Sequence, residues 1–182
     1  TQPQGADFDY FQMVFDCYRA LRRAGWSIDI VPKTVDPSAY KITFAPGLLT
    51  VPTSLSGGLV VAGPRAGSKT EELTIPEGLV PQIAGLATKV TYVESLPPFA
   101  PMSLKGGGAF EKWREAIETD DAVILQLEDG APAAVRADDM IYLAGWPNPS
   151  LWRRLLVQVA QEQGLPIMDL PRDIRIRDTQ TH

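Results

Sequence analysis

The stretch GGLVVAGPRAGSKT, residues 57–70, decides the fold that we predict for this chain. Its apolar run, residues 59–62, follows two glycines and precedes another, which is typical of a buried central strand. A loop with glycine and proline comes next and ends in Ser68-Lys69-Thr70. Because open α/β sheets bind ligands beyond the carboxyl ends of their strands, this loop is the first candidate for a functional site.

The same loop approaches the pattern of a phosphate-binding loop, G-x-x-x-x-G-K-[ST]. Gly63 and Lys69-Thr70 fit this pattern, but the second glycine stands one position early and Ser68 occupies its place. A phosphate loop must also open a helix whose N-terminus faces the phosphates. Glu71 and Glu72 put negative charge at that point. A strand-to-loop turn is therefore favoured over nucleotide binding.

Length and composition indicate one globular α/β domain of ordinary size. The chain has 182 residues, of which 45% are hydrophobic, and a formal net charge of −5. It can bury a proper core but lacks the excess of basic residues that nucleic-acid binding requires. No apolar run approaches the roughly 18 residues of a membrane span, and the N-terminus has no signal-peptide pattern. The single cysteine excludes an intrachain disulfide and leads us to expect a cytoplasmic protein.

The residue inventory excludes several kinds of catalysis. The single histidine, His182, is the last residue, where an ordered catalytic triad is not expected. Cys17 lies within a predicted helix, which favours a partly buried structural thiol. One histidine and one cysteine cannot form a structural zinc site, so neither a metal nor a cofactor is predicted. We interpret the adjacent carboxylates at 71–72, 120–121 and 138–139 as solvated turn charges, and Trp113, Trp146 and Trp152 as packing residues rather than a sugar platform.

The first half is predicted to contain one helix followed by strands. The helix is expected from an N-cap at Asp7 to about Ala24. Strands are expected at Trp26–Val31 and Lys41–Ala45, each ended by proline. The buried stripe of the helix is expected to consist of Phe8, Phe11, Val14, Phe15, Tyr18 and Leu21.

The connection from Ala45 to the central strand is unusual. A parallel crossover takes about a dozen residues or more and usually contains a helix. Residues 46–58 hold prolines and glycines and show no helical stripe. We therefore hypothesise that residues are missing between about Thr53 and Gly57.

The second half is predicted to be largely antiparallel. Residues 96–108, rich in proline and then glycine, are interpreted as a mobile excursion, and residues 110–117 as a short helix or an irregular edge segment. The other elements expected here are a helical turn at 80–86, strands at 89–95, 122–127, 133–136 and 140–144, a hairpin turn at Glu128-Asp129-Gly130, and a helix from an Asn148 cap to Gly164.

Four quoted segments resemble the middle domain of glycoside hydrolase family 42 β-galactosidases. PQGADFDYFQMVFDCYRALRRAGWSIDIVP at 3–32 resembles the helix and first strand that follow the barrel of that family. DPSAYKITFAPGLLTV at 36–51 and GGLVVAGPRAGSKT at 57–70 resemble its next two strands, with the Gly-Pro-Arg-x-Gly-x-Lys loop. YLAGWPNPSLWRRLLVQVAQEQGL at 142–165, followed by DLPRDIRIR, resembles its final strand and helix.

The resemblance implies an α/β fold, a flavodoxin-like or class I glutamine amidotransferase-like sheet flanked by helices, with an antiparallel hairpin portion in the second half. Members of the family cleave terminal β-galactosides with retention, using two glutamates on an N-terminal barrel. A barrel of about 250 residues does not fit in this chain, so no catalytic residue is carried over. The implied organisation is a linker from the barrel at 1–6, a trimerisation domain at 7–164, and a lead into a C-terminal β domain at 165–182.

The resemblance implies an assembly domain whose partners are its own barrel and neighbouring subunits of a homotrimer. The galactoside is then the substrate of the parent enzyme in carbohydrate metabolism, with no nucleic acid and no membrane as partner. A substrate-proximal or interface role is assigned to Arg65, Ser68 and Lys69. Two alternatives stay open: an autonomous amidotransferase-like enzyme, and a nucleotide- or phosphate-binding module that uses the 63–70 loop.

Overall fold

A computed structural model describes residues 8–51, 55, 58–77, 80–171, 173–174 and 176. The first part of the chain forms helix α1 (Tyr10–Arg23), a short 3-10 turn at Pro37–Ala39, and strands β1 (Ile42–Ala45) and β2 (Leu59–Ala62). The middle forms β3 (Thr88–Ser95), β4 (Met102–Ser103), β5 (Ala109–Thr119), β6 (Ala122–Gln126) and β7 (Pro132–Ala137). The last described elements are β8 (Met140–Leu143), β9 (Gly145–Pro147) and helix α2 (Pro149–Glu162).

The first sheet, which we call the mixed sheet, has the order β1-β2-β8-β7-β6. Strands β1, β2 and β8 run parallel, and β7 and β6 continue the sheet antiparallel. All four side chains of β2 are buried, so the prediction of a buried central strand at 59–62 is confirmed. The antiparallel hairpin predicted around Gly130 is the β6–β7 pair, and it is confirmed as well.

The second sheet, which we call the antiparallel sheet, is built around β5. Strands β3, β4 and β9 all pair antiparallel with β5. Strand β9 begins two residues after β8 ends, so Ala144 alone separates the two sheets at this point. Residues 110–117 therefore belong to the central strand of a sheet, and the prediction of a short helix or edge segment there is wrong.

The two helices and the antiparallel sheet both pack on the mixed sheet. Both helices cover one face of the mixed sheet, where Cys17 and Leu155 share a cluster with Leu59 and Ile141. The opposite face packs against residues 83–90 and the antiparallel sheet. The α/β class with a mixed sheet and two helices is confirmed, and the described helices lie on one face of the mixed sheet.

Helix α1 buries a different face from the one predicted. Its buried residues are Met13, Cys17 and Leu21, whereas Phe11 is 82% exposed and Phe15 is 52% exposed. Met13 follows Phe11 by two positions, and two positions turn an α-helix by about 200°. The observed buried face keeps Leu21 of the predicted stripe but is centred on Met13 and Cys17, so it is turned away from Phe11 and Phe15. The N-cap is Asp9, whose carboxylate accepts from Gln12 N at 3.0 Å, whereas the predicted cap Asp7 lies outside the described residues.

Three other predictions in this part of the chain need correction. Residues 26–31 belong to neither sheet. Trp26 instead packs on the core and donates its indole N–H to Pro166 O at 2.8 Å. Residues 96–108 contain β4, and Leu104 is buried in a bridge to Leu127, so this segment is not an excursion throughout. The helical turn predicted at 80–86 is absent: these residues form non-helical turns.

Strands β1, β3, β6, β7 and β8 and helix α2 agree with prediction, whereas strand β9 was not predicted. Asn148 caps α2 by accepting from Leu151 N at 2.9 Å. The gap proposed between Thr53 and Gly57 lies almost wholly outside the described residues, as does the linker predicted at 1–6. In the described part of the chain, neither helix is long and apolar enough to cross a membrane.

Candidate functional site

The loop after β2, residues 63–70, is held on two sides by backbone hydrogen bonds. Gly67 N donates to Leu48 O at 2.9 Å and Lys69 N donates to Leu49 O at 3.0 Å. On the other side, Gln82 N donates to Gly67 O at 2.7 Å. The chain then turns at 70–74 and opens no helix. The loop therefore lacks the helix N-terminus on which a phosphate loop depends.

Arg65 points into the protein rather than out of the loop. The residue is 7% exposed and has a positive φ of 65°. Its Nη1 lies 3.6 Å from Oε1 of Glu115 on β5, and the Tyr142 hydroxyl on β8 donates to Oε2 of the same carboxylate at 2.6 Å. Glu115 is 2% exposed and Tyr142 is fully buried. We call these three residues the buried triad; it joins the loop, the mixed sheet and the antiparallel sheet.

Burial dominates the electrostatics of the triad. Desolvation raises the pKa of Glu115, and the Tyr142 hydroxyl and the Arg65 guanidinium oppose this rise. Burial, with the neighbouring carboxylate, also raises the pKa of Tyr142 well above its ordinary value. Arg65 Nε has no hydrogen-bond partner among the described residues. The triad is therefore a buried ion pair, of the kind that is costly to disrupt by removing one partner.

The three residues predicted to form a site have different environments. The Ser68 hydroxyl is buried without a hydrogen-bond partner in the described part of the protein, and its N–H donates to Arg65 O at 3.2 Å. Lys69 is half-buried. The structure thus joins Arg65 to Glu115 and Tyr142, which sequence reasoning did not single out. The one signal for Glu115 was its position two residues from Trp113 and from Ile117, on the same face of a strand.

The antiparallel sheet closes the carboxyl edge of the mixed sheet. Glu115 N donates to Ala144 O at 2.7 Å, so β5 lies directly against the residue that follows β8. An open α/β sheet would leave a crevice for a ligand at this edge. Here the edge is filled by protein, which makes the arrangement a packed junction between two sheets rather than an open pocket.

A family model described as "Beta-galactosidase trimerisation domain" matches residues 1–166. The chain belongs to this family. The resemblance inferred from the sequence is thereby confirmed.

Relatives of this trimerisation domain are parts of longer proteins. The β-galactosidase of Thermus thermophilus is 40% identical over 97% of this chain, which is 29% of that protein. The solved β-galactosidase from the psychrophilic Marinomonas ef1 has a TM-score of 0.90 at 29% identity, covering 97% of this chain and 29% of its own. The one from the haloarchaeon Halorubrum lacusprofundi has a TM-score of 0.86 at 28% identity, covering 96% of this chain and 30% of its own. The chain spans less than a third of each.

Three of the four tryptophans of the trimerisation domain are core residues. Trp113, Trp146 and Trp152 are 2%, 1% and 4% exposed, so none forms a sugar platform. Trp146 donates its indole N–H to Asp16 at 3.2 Å, and Lys112 Nζ lies 4.4 Å from the centre of its ring. Packing was the interpretation favoured from the sequence, and it is confirmed.

The paired carboxylates act in turns and at the surface. Asp121 accepts from Ala87 N at 2.9 Å and from the Thr88 hydroxyl at 2.8 Å, which fixes the start of β3. Glu71 lies 3.3 Å from Lys33 Nζ, and Asp138 and Asp139 are exposed in the β7–β8 turn. Within the described ranges, no three His, Cys, Asp or Glu side chains come together to hold a metal ion.

Cys17 is expected to be unreactive in the folded domain. It is 3% exposed, and burial with the nearby Asp16 charge raises the pKa of its thiol far above the ordinary value. Since the thiolate is the reactive form, we expect a thiol reagent at pH 8 to label this cysteine only when the protein unfolds. Labelling with and without guanidinium, followed by mass spectrometry, measures this. Rapid labelling of the native protein would contradict it and revive the amidotransferase-like alternative.

Proposed function

We propose that this chain is the non-catalytic assembly domain of a retaining β-galactosidase, which hydrolyses terminal β-D-galactosides in carbohydrate metabolism. The carrying observation is the match to the trimerisation family over residues 1–166, in a chain that spans 29% of a relative named β-galactosidase. The catalytic glutamates of the parent enzyme are proposed to lie on a barrel outside this chain. The proposed setting is the cytoplasm.

The geometry of the described carboxylates supports a non-catalytic role. A retaining glycosidase needs two carboxyl groups about 5–5.5 Å apart with access to a sugar. Glu115 is the one buried carboxylate among the described residues, and it is enclosed with Arg65 and Tyr142. The other described carboxylates that form adjacent pairs lie in turns and at the surface. The sugar chemistry is therefore proposed to be located elsewhere in the parent protein.

The proposed organisation places this domain between a barrel and a small β domain. Residues 1–6 are proposed as the linker, 7–164 as the assembly domain and 165–182 as the exit. Residues 165–170 run back along the end of α1, with Met168 N donating to Ala24 O and Leu170 N to Arg23 O, both at 2.9 Å. This return supports an exit close to the end of α1. The proposed partners are the parent barrel and two neighbouring subunits.

A flavodoxin-like or amidotransferase-like ancestry is proposed for the parallel part. Its support is the parallel set β1, β2 and β8 with α1 and α2 packed on one face. Cys17 is buried, which supports the proposal that this domain has lost the amidotransferase nucleophile.

We also propose that the 63–70 loop is a seam with the barrel or a neighbouring subunit. Arg65 supports the loop from beneath through Glu115, while the half-buried Lys69 lies at its outer end. Lys69→Ala in the full-length parent is expected to reduce activity or trimer stability. If both stay unchanged, this role for the loop is excluded.

The proposed function is tested by comparing this chain with its parent reading frame. The full-length protein is expected to hydrolyse nitrophenyl β-D-galactoside and to sediment as a trimer, whereas residues 1–182 alone are expected to be inactive. Galactoside hydrolysis by the short chain, or a full-length protein that is a strict monomer, would contradict the proposal. Calorimetry with ATP and with inorganic phosphate tests the phosphate-site alternative, for which no heat of binding is expected.

A further inference from the structure

Helix α1 exposes an aromatic surface that Phe11 and Phe15 form on the side away from the core and that Tyr10 continues beside the buried face, where its ring lies near Gly47. Tyr10, Phe11 and Phe15 are 41%, 82% and 52% exposed, and we call them the helix patch. The Tyr10 and Phe11 rings lie 5.6 Å apart, and the Arg19 guanidinium lies 5.6 Å from the centre of the Phe15 ring. These contacts hold the aromatic rings in place in the single chain.

The folding of the domain does not account for this patch. Met13, Cys17 and Leu21 already bury the opposite side of α1 against the core. A helix that is apolar on two sides is expected to be covered on both. At about 200 Å² for a fully exposed aromatic side chain, the patch presents about 350 Å². One partner of a standard interface buries about 800 Å², so the patch is close to half of that area. An area of this size suits the apolar centre of an interface with a polar rim.

A second concentration of exposed apolar side chains lies on the loops near the carboxyl edge of the mixed sheet. Lys33 joins two of these loops, because its Nζ lies 2.9 Å from the Thr50 hydroxyl and 3.3 Å from Glu71. On either side of that junction are Val31, Val35, Leu73 and Ile75, which are 42%, 40%, 65% and 55% exposed, and we call them the loop patch.

The symmetry of a trimer determines how two such surfaces can contact each other. In a cyclic trimer each contact is heterologous, so one surface of a subunit meets a different surface of the next. We propose that the helix patch of one copy packs against the loop patch of the neighbouring copy, and that three such contacts close the ring. The inference rests on the proposed assembly function and names the surface that performs it.

The first test uses the full-length parent protein and a matched phenylalanine control. Phe11→Ser together with Phe15→Ser removes the centre of the helix patch, and aromatic residues at the centre of an interface are its usual hot spots. We expect the trimer dissociation constant in sedimentation velocity to rise about a hundredfold or more. Phe99→Ser, at an 88% exposed position on the β3–β4 loop, is expected to leave the trimer intact.

The second test determines which surfaces meet. Phe15→Cys and Leu73→Cys are combined in one chain and treated with a short bismaleimide, while Cys17 is buried and should not contribute. The combined variant is expected to give covalent dimers and trimers, and each single variant is expected to give neither. The unsubstituted parent, treated in the same way, gives the background from any cysteines outside this domain.

The outcomes separate this inference from the proposed function. A wild-type parent that is not a trimer overturns the proposed function itself. A trimeric parent whose Phe11/Phe15 variant stays trimeric, with a normal melting temperature, overturns the assignment of the helix patch to a neighbouring copy. The same variant remaining trimeric with a lowered melting temperature assigns the patch to the parent barrel instead. Cross-linked dimers from Phe15→Cys alone would replace the heterologous contact by a symmetric one.

Discussion

Replacing Arg65 by alanine is expected to lower the free energy of unfolding by about 3–5 kcal/mol, the usual result of removing one partner of a buried ion pair. The Glu115 carboxylate would then stay between the two sheets with the Tyr142 hydroxyl as its remaining described partner. Urea unfolding followed by far-UV circular dichroism measures the change. The free energy of unfolding should fall while its slope against urea concentration stays unchanged, because the folded architecture is kept.

The stability lost in Arg65→Ala should also grow with pH. Burial raises the pKa of Glu115 in the folded protein, so the folded state holds this proton more tightly than the unfolded chain. The stability that such a group contributes is complete below its unfolded pKa and is lost as the pH rises through its folded pKa. Arg65 lowers the pKa of Glu115, and its removal raises that pKa further. The variant should therefore fall further below the wild type as the pH rises above the ordinary pKa of a glutamate side chain, about 4.3.

Two further variants serve as controls for the ion pair. Lys33→Ala removes the exposed partner of Glu71 and should cost no more than about 1 kcal/mol, as exposed pairs do. Adding Glu115→Gln to Arg65→Ala removes the unpaired charge and should recover part of the loss. If Arg65→Ala costs as little as Lys33→Ala, the triad does not stabilise the junction of the sheets.

Trp146→Ala is expected to destabilise the domain by about 3–5 kcal/mol, as large-to-small changes at buried aromatic residues do. Trp146 is 1% exposed, and its cluster includes Met13 on α1, Trp113 on β5 and Phe8 ahead of α1. The change would leave a cavity among these elements and remove the hydrogen bond to Asp16. Thermal unfolding followed by tryptophan fluorescence measures the loss.

The matched control for Trp146 is again an exposed aromatic residue. Phe99→Ala, at an 88% exposed position, should change the free energy of unfolding by less than about 0.5 kcal/mol. A small effect of Trp146→Ala together with a loss of activity in the parent enzyme would contradict the packing role. It would favour a sugar-binding role for this tryptophan.

The elements that the sequence predicts well are those whose signals are local. Residues 59–62 are uniformly apolar between glycines, Gly130 marks a tight turn, and Asn148 with Pro149 marks a helix start. Each of these signals acts within a few residues, and the structure contains the corresponding strand, hairpin and helix. The family, now confirmed, was also inferred from short sequence motifs along the chain.

The buried face of α1 could not be chosen from its own sequence. Both Phe11/Phe15 and Met13/Cys17 form apolar pairs at helical spacing, and the phenylalanines are the larger. What decides is the shape of the surface beneath the helix, where the Met13 side chain packs closely over Gly47. That contact joins residues far apart in sequence, so it lies beyond any periodicity argument.

Strand β5 was missed because a backbone irregularity imitates helical spacing. Lys112 has a φ of 63°, and the pairing register with β9 shifts between Phe110 and Arg114. The inward residues Phe110, Trp113 and Ile117 are consequently spaced by three and four, as in a helix. Glu115 completes the strand alternation, but a carboxylate at a buried position is not expected without its partners Arg65 and Tyr142.

The insertion of three strands of the antiparallel sheet between β2 and β8 has a consequence for synthesis. Val60 of β2 pairs with Met140 of β8, and β3, β4 and β5 all lie between them in the chain. On the ribosome, β2 therefore emerges long before the strand that covers its edge, and an uncovered strand edge is a template for wrong pairing. The mixed sheet can be completed only after Leu143, the last residue of β8, has been synthesised. We expect the domain to fold late during translation and to fold slowly, as do other folds that rely on strand pairs distant in sequence.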